Sequence, residues 1–304
     1  MKAFTRNLTA GLVSMLFAAT PAFATGGGGS SSCNASIGTI SAVPTVVYDP
    51  FDGVSASVVF TVEAVNQSSE PCNLSLAVAS AGSSGTRYFR RMGDKLRYVV
   101  ETPDGDDYEN DIDEPRGWHS LQGGVGKTRL ITVKVKVPSG LIAPAGDYSN
   151  MLSFKLYRAG GGGLGTVATA PANAVVEARA QVNIAGASGS WGAWSVDELD
   201  FNTLNTGEIR SARVQVRATS GVTIQVVSQN KGKLKHKTLA AEVPYALKLN
   251  NVTMTLDPGP AETDVSPPVS LDGTSYPMVV TIGDVSGRPS GTYKDLLTIT
   301  VTPE

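Results

Sequence analysis

His119 and His236 are the only imidazoles in this 304-residue chain, so any hydrolytic chemistry has to be built around one of them. A Ser/His/Asp triad needs the histidine, a nucleophile and a carboxylate to meet in one pocket. Gly186-Ala187-Ser188-Gly189 lacks the spacing that exposes a serine at a strand-to-helix elbow. Gly124-Val125-Gly126-Lys127-Thr128 holds the Gly-Lys-Thr of a phosphate-binding loop, but Leu121 stands where that loop needs its first glycine. A strand pattern, not a helix, then follows from Leu130. We read this stretch as a surface turn, and expect no catalytic site and no cofactor.

Asp104 to Glu114 is a dense acidic run, Asp-Gly-Asp-Asp-Tyr-Glu-Asn-Asp-Ile-Asp-Glu. Oxygen-rich loops of this kind can hold calcium, although the glycine is misplaced for a helix–loop–helix site. A solvated hairpin loop, free to contact a receptor, explains the composition without a metal. Lys231, Lys233, Lys235 and Lys237 recur at every second position and so share one face of a strand. Such stripes protect an exposed sheet edge from unwanted pairing; contact with an anionic surface is the functional alternative. Trp118, Trp191 and Trp194, with Tyr88 and Phe89, are candidates for a sugar site, against the commoner reading of core or inter-domain packing.

The elements that must position these groups begin with an export signal. Lys2 and Arg6 precede a short apolar core from Gly11 to Ala19, and Ala22-Phe23-Ala24 is a small-x-small cleavage pattern. Residues 1–24 are therefore expected to be removed, which leaves 23 basic against 27 acidic residues. That mild balance excludes the concentrated basic excess of a nucleic-acid binder. In an oxidising compartment Cys33 and Cys72, the only cysteines, are expected to pair. The bridge would contribute roughly 3–4 kcal/mol by the chain-entropy account.

Strand patterns dominate. Val58–Val62 and Leu74–Val78 read as buried strands, while Ile131–Val137 alternates apolar and polar residues as a half-exposed strand does. Arg213–Arg217, Val222–Val226, Tyr245–Leu249 and Asp295–Val301 alternate in the same way. Short strands between Gly, Pro, Asn and Ser clusters indicate antiparallel sandwiches or barrels. The glycine-rich run at Ala159–Gly165 reads as a linker, placing domains at 25–158 and 175–304 with a linker over 159–174. The halves end alike: Ala143-Pro-Ala-Gly-Asp-Tyr-Ser-Asn-Met-Leu152 aligns without gaps with Arg288-Pro-Ser-Gly-Thr-Tyr-Lys-Asp-Leu-Leu297. Val133, Val135 and Val137 then pair with Met278, Val280 and Ile282, which indicates two copies of one fold.

These segments resemble the spore coat protein U family of archaic chaperone–usher pilus subunits. In the first half the likeness lies in Cys33, Tyr48-Asp-Pro-Phe51, Cys72 and Pro144–Tyr148. In the second it lies in Leu199–Asn202, Ser228–His236, Val243–Leu247 and Arg288–Asp295. The second half lacks the cysteines that the family commonly carries. The resemblance implies two tandem immunoglobulin-like antiparallel β-sandwiches, all-β, of which a pilin-like copy lacks its final strand. Tyr293, Leu297, Ile299 and Val301 would border the open groove. The implied partners are a periplasmic pilus chaperone, an outer-membrane usher, a neighbouring subunit joined by donor-strand exchange, and a surface or receptor of unknown identity. Localisation would be periplasmic in transit, then the cell surface. Thr25 to Ser32 offers only glycine, serine and threonine, nothing to insert into a neighbour, which points to the fibre tip. A strand following the linker, around Val167, Val175 and Val176, could complete the first domain. Alternatives are a secreted coat-like protein of the same fold that needs no usher, and a secreted carbohydrate-binding module. The loops at Tyr48–Val54 and Tyr88–Asp111 are the candidate contact surfaces.

Overall fold

The computed structural model describes residues 33–81, 85–185, 191–192 and 198–304. The expected signal peptide, the Gly/Ser segment before Cys33, Ser188 and Trp194 lie outside them. No described residue is helical, and no helix long and apolar enough to cross a membrane is present among them.

The first half comprises β1 (Ala35–Ile40), β2 (Val46–Tyr48), β3 (Ala56–Asn66), β4 (Cys72–Ser80) and β5 (Arg87–Arg91). It continues with β6 (Asp94–Glu101), β7 (Arg116–Leu121), β8 (Thr128–Val137), β9 (Gly146–Arg158) and β10 (Gly163–Val176). One face carries β1-β3-β8-β6, and the other carries β7-β4-β9-β10-β2 with β5 alongside β9. The alternation read in the sequence decides which side chains go inside. Ile131, Val133, Val135 and Val137 are buried in β8, while Lys134 and Lys136 between them stay partly exposed. Phe60 and Phe154 meet edge to face across the sandwich at 5.8 Å. Cys33 and Cys72 form the expected disulfide, with Cα atoms 5.2 Å apart.

The second half comprises β11 (Ala180–Ala185), β12 (Ile209–Ala218), β13 (Val222–Ser228), β14 (Lys233–His236) and β15 (Glu242–Leu249). After these come β16 (Val252–Met254), β17 (Ala261–Val265), β18 (Thr274–Ile282), β19 (Tyr293–Lys294) and β20 (Leu297–Pro303). Its sheets run β11-β12-β18-β15-β14-β19 and β17-β13-β20. Its buried apolar side chains form a cluster separate from that of the first half. Both halves are immunoglobulin-like antiparallel β-sandwiches.

The repeat read from the sequence extends to strand register. Ser80 faces Leu152 and Val78 faces Phe154 in the β4–β9 pair; Ser228 faces Leu297 and Val226 faces Ile299 in β13–β20. Val100 faces Val135 in the first copy, and Leu247 faces Val280 in the second.

The expected linker needs correction. Gly160, Gly161 and Gly162 all adopt φ near +90°, and the Arg158 amide donates to the Gly162 carbonyl, so the run is a hairpin turn. Beyond it β10 pairs antiparallel with β9 from Gly163↔Tyr157 to Val176↔Gly146, burying Ala170, Ala172, Ala174 and Val176. Small residues at alternate positions hold this segment in the sheet. The chain leaves the first sandwich only after Val176. Its strand around Val175 and Val176 completes the first sandwich, pairing also with β2 in parallel.

The lysine stripe is corrected as well. β14 lies between β15 and β19, so it is not an unpaired edge. Its lysines are held instead by carboxylates, with Lys233 and Lys235 both on Glu242, at 3.0 and 3.8 Å.

Candidate functional site

β20 is where the two copies part company. β13 hydrogen-bonds one of its edges, and no described residue pairs with the other. In the first copy the equivalent strand, β9, is covered on that side by β10 along its length. The side chains register the difference. Leu152, Phe154 and Leu156 are each 0% exposed, whereas Leu297, Ile299 and Val301, at the same positions of the repeat, remain half-buried against the second core. Unpaired backbone groups and a half-covered apolar row are together a template for an added strand.

The turn leading into this strand is built identically in both copies. Tyr148 Oη donates to the Pro144 carbonyl at 2.8 Å, and Tyr293 Oη donates to the Pro289 carbonyl at 2.8 Å. Tyr293 is packed edge-on against His236 at 4.9 Å. His236 Nδ1 accepts from the Thr238 and Leu239 amides at 3.1 and 3.0 Å, so Nε2 carries the proton and faces the Ser290 carbonyl at 3.2 Å.

Beneath the start of β20 lies a polar cluster that sequence reading missed. Asp295 accepts from Ser228 Oγ at 2.6 Å, Tyr245 Oη at 2.5 Å and the Leu296 amide at 2.8 Å. The first copy has the same arrangement with an amide in place of the carboxylate. Asn150 donates to Tyr98 Oη at 2.9 Å and Ser80 Oγ at 3.3 Å, and its Oδ1 accepts from the Met151 amide at 2.7 Å. Burial, then the bond to the Asp295 carboxylate, pushes the Tyr245 phenol well above the ordinary tyrosine range. Tyr98 is raised too, mainly by burial, with Ser80, Arg87 and Asn150 opposing. The aligned Asn150 and Asp295 were the available signal.

The remaining sequence candidates are dispersed. His119 sits half-buried on β7, its imidazole held below the ordinary range by burial and then by Arg129. His119 and His236 lie in different sandwiches. Gly124–Lys127 forms the turn before β8. Tyr108 and Asn110 of the acidic run are buried, and Asp113 is held below the ordinary carboxylate range by Tyr157 and Lys155. No group of three or more His, Cys, Asp or Glu is placed to hold a metal ion among the described residues. Phe89 is in the core, stacked on Tyr98 at 4.1 Å, whereas Trp118 is 70% exposed rather than packed inside. Of the expected contact loop at Tyr48–Val54, Tyr48 is buried and Phe51 meets Arg217 of the second sandwich, which turns this part of the loop toward the seam between the sandwiches.

No family model matches the chain, and no curated protein matches it. Among solved structures it is similar to a chain of the chaperone–tip adhesion subunit pre-assembly complex of archaic chaperone–usher Csu pili from Acinetobacter baumannii. Identity there is 14%, the match covers 85% of this chain and 96% of that one, and the TM-score is 0.48. It is also similar to the CupB6 tip adhesin of Pseudomonas aeruginosa, at 14% identity, 89% and 93% coverage, and a TM-score of 0.34. A third is CfaE, the adhesive subunit of CFA/I fimbria of enterotoxigenic Escherichia coli, at 13% identity, 85% and 92% coverage, and a TM-score of 0.38.

Proposed function

We propose that this chain is a non-catalytic, adhesive and structural subunit of a bacterial surface fibre assembled by the chaperone–usher route. β20 is the edge that receives a strand from another protein. A periplasmic chaperone would occupy it first, and a neighbouring subunit would replace the chaperone at the outer-membrane usher. The observation that carries this reading is the contrast between Leu297, Ile299 and Val301, half-buried beside an unpaired edge, and Leu152, Phe154 and Leu156, fully buried under β10.

Main-chain hydrogen bonds along β20 would supply affinity, and the apolar row would select alternate side chains of the donor. A place at the fibre tip is the finer part of the proposal. It is supported by the first sandwich, which β10 closes from within the same chain, so that it needs no donor and can face a surface.

The test is to fuse an alternating apolar donor strand behind residue 304 through a short flexible linker. A control fusion carries the same residues with the alternation shifted by one position. Covering three half-exposed apolar side chains should add about 2–4 kcal/mol to the second sandwich, read in denaturant unfolding, with the shifted control adding none. A bare chain that folds as a stable monomer and gains nothing from the donor strand would overturn the proposal.

A further inference from the structure

The two copies also differ at β7, and this difference is unrelated to β20. In the second copy β13 pairs with β17 in unbroken register from Val222↔Val265 to Val226↔Ala261. In the first copy the equivalent pair, β4 and β7, slips: Leu74 faces His119 but Leu76 faces Arg116, so Gly117 and Trp118 stand together opposite Ser75. Gly117 has φ +69°, the left-handed conformation of a glycine-led β-bulge. A side chain there would also press on His119 Nε2, 3.1 Å from the Cβ position. Bulges of this kind re-aim the residue that follows, and Trp118 is left 70% exposed on an otherwise well-packed sandwich.

Trp118 stands at a cleft of ≈ 300 Å³ whose lining also includes Ser75, Arg116, Tyr157 and Arg158. The charges around it are unequal. Arg116 is matched by Glu109 at 3.3 Å and Glu114 at 4.0 Å, and Lys155 by Asp113 at 3.0 Å. Arg158 has no carboxylate partner among the described residues, and its Nε is buried with no hydrogen-bond acceptor. Because that Nε is enclosed, a carboxylate entering the cleft can meet this guanidinium only through its terminal Nη groups. An unmatched guanidinium beside an exposed indole is complementary to a ligand that carries a carboxylate and a flat apolar face.

We propose that the cleft between Trp118 and Arg158 binds a pyranose bearing a carboxylate. The sugar's C–H face lies on the indole, and the carboxylate meets the Arg158 guanidinium. Uronate polymers and sialylated glycans both present this chemistry. The site lies in the first sandwich and does not require strand exchange at β20, so the two proposals fail separately.

The test uses the mature, disulfide-bonded chain and isothermal titration with four sugars. Trigalacturonate and 3′-sialyllactose form the acidic arms; maltotriose and lactose are the neutral controls. At least one acidic sugar should bind saturably, about tenfold or more tighter than its neutral control, as a charge-assisted Arg–carboxylate bond warrants. Binding of trigalacturonate alone identifies uronate polymers as the source, and binding of 3′-sialyllactose alone identifies sialylated glycans. Arg158→Gln and Trp118→Ala should each weaken that binding about tenfold or more while leaving thermal unfolding unchanged. Raising salt should weaken it as well. Absence of saturation with both acidic sugars, equal binding of the neutral ones, or undiminished binding by both variants would overturn the assignment.

Discussion

The guanidinium carbon of Arg217 lies 4.8 Å from the centre of the Phe51 ring, so a cation on β12 of the second sandwich is held against an aromatic side chain of the first. Trp191 stacks on the same guanidinium at 4.6 Å, and Gln181 Oε1 accepts two of its hydrogen bonds at 2.9 and 2.6 Å. Around this contact Arg179 pairs with Asp49 at 3.1 Å, and the Ala145 amide donates to the Thr219 carbonyl at 2.7 Å. The seam is therefore a specific joint rather than a tether. Its physical basis is the planar, weakly hydrated guanidinium, which stacks and hydrogen-bonds at the same time.

Arg217→Ala should loosen the joint, at a cost of about 1–2 kcal/mol from the lost cation–π contacts. Faster amide exchange at Ala145, with little change in the β3–β8 core, is the expected signature. Arg217→Lys should restore only part of the protection, because an ammonium cannot stack on both rings. Unchanged exchange at Ala145 in both variants would show that the backbone contact holds the joint without Arg217.

Gly291 should not tolerate a side chain. Its φ is +152°, and a Cβ there would overlap His236 Nε2, whose ring is fixed by the Thr238 and Leu239 amides. Gly146 occupies the same place in the first copy, at φ +137° against Arg91. Gly291→Ala should cost about 1–3 kcal/mol. The second variant His236→Ala, which removes the obstruction, should recover part of that loss in the double mutant, measured by denaturant unfolding of both.

The Asp295 cluster predicts an alkaline weakness in the second sandwich. Tyr245 has a folded-state pKa above its ordinary value of 10.0. Its stabilising contribution is thus complete below that ordinary value and is lost as pH rises toward the folded-state pKa. Asp295→Asn gives the second copy the amide that the first copy already uses at Asn150, removing the carboxylate that opposes ionisation. The Tyr245 phenolate should then form at lower pH, followed by its ultraviolet absorbance. An unchanged titration would mean that burial alone sets the shift.

Much of this was legible in the chain and some was not, for identifiable reasons. The strands around Val133, Val214 and Leu247 followed from alternation, because one face of each is buried and the other is not. The repeat was visible where a single offset holds, from Val133 to Leu152. It faded further upstream because Ser80 and Ser228 stand 148 apart while Asn150 and Asp295 stand 145 apart, so the polar cluster lost its alignment. Glycine composition misled at 159–174: four consecutive glycines suit a flexible tether and a left-handed hairpin turn equally well. Only the pairing of Ala172 and Ala174 with β9 distinguishes them. The exposure of Trp118 had no signature in periodicity, since one extra residue in β7 reverses the face that alternation assigns to it.

Glu101 provides the last prediction, on the acid side. It lies within the first sandwich with its side chain 6% exposed, and it receives Lys134 at 2.6 Å and Lys136 at 2.7 Å from the neighbouring strand β8. Burial pushes its carboxyl upward, but the two lysine hydrogen bonds and their charges outweigh that, so the folded-state pKa lies below the ordinary 4.5. The stabilisation is therefore full above 4.5 and is lost as pH falls through the lower folded-state value. Glu101→Gln removes the charge while keeping the shape, and leaves two lysines facing a neutral amide. It should destabilise the first sandwich by about 2–3 kcal/mol at neutral pH. The gap between variant and wild type should then narrow as pH drops below 4.5. Denaturant unfolding at neutral and acidic pH measures both, and a gap that stays constant with pH would show that the loss came from packing rather than from the ion pairs.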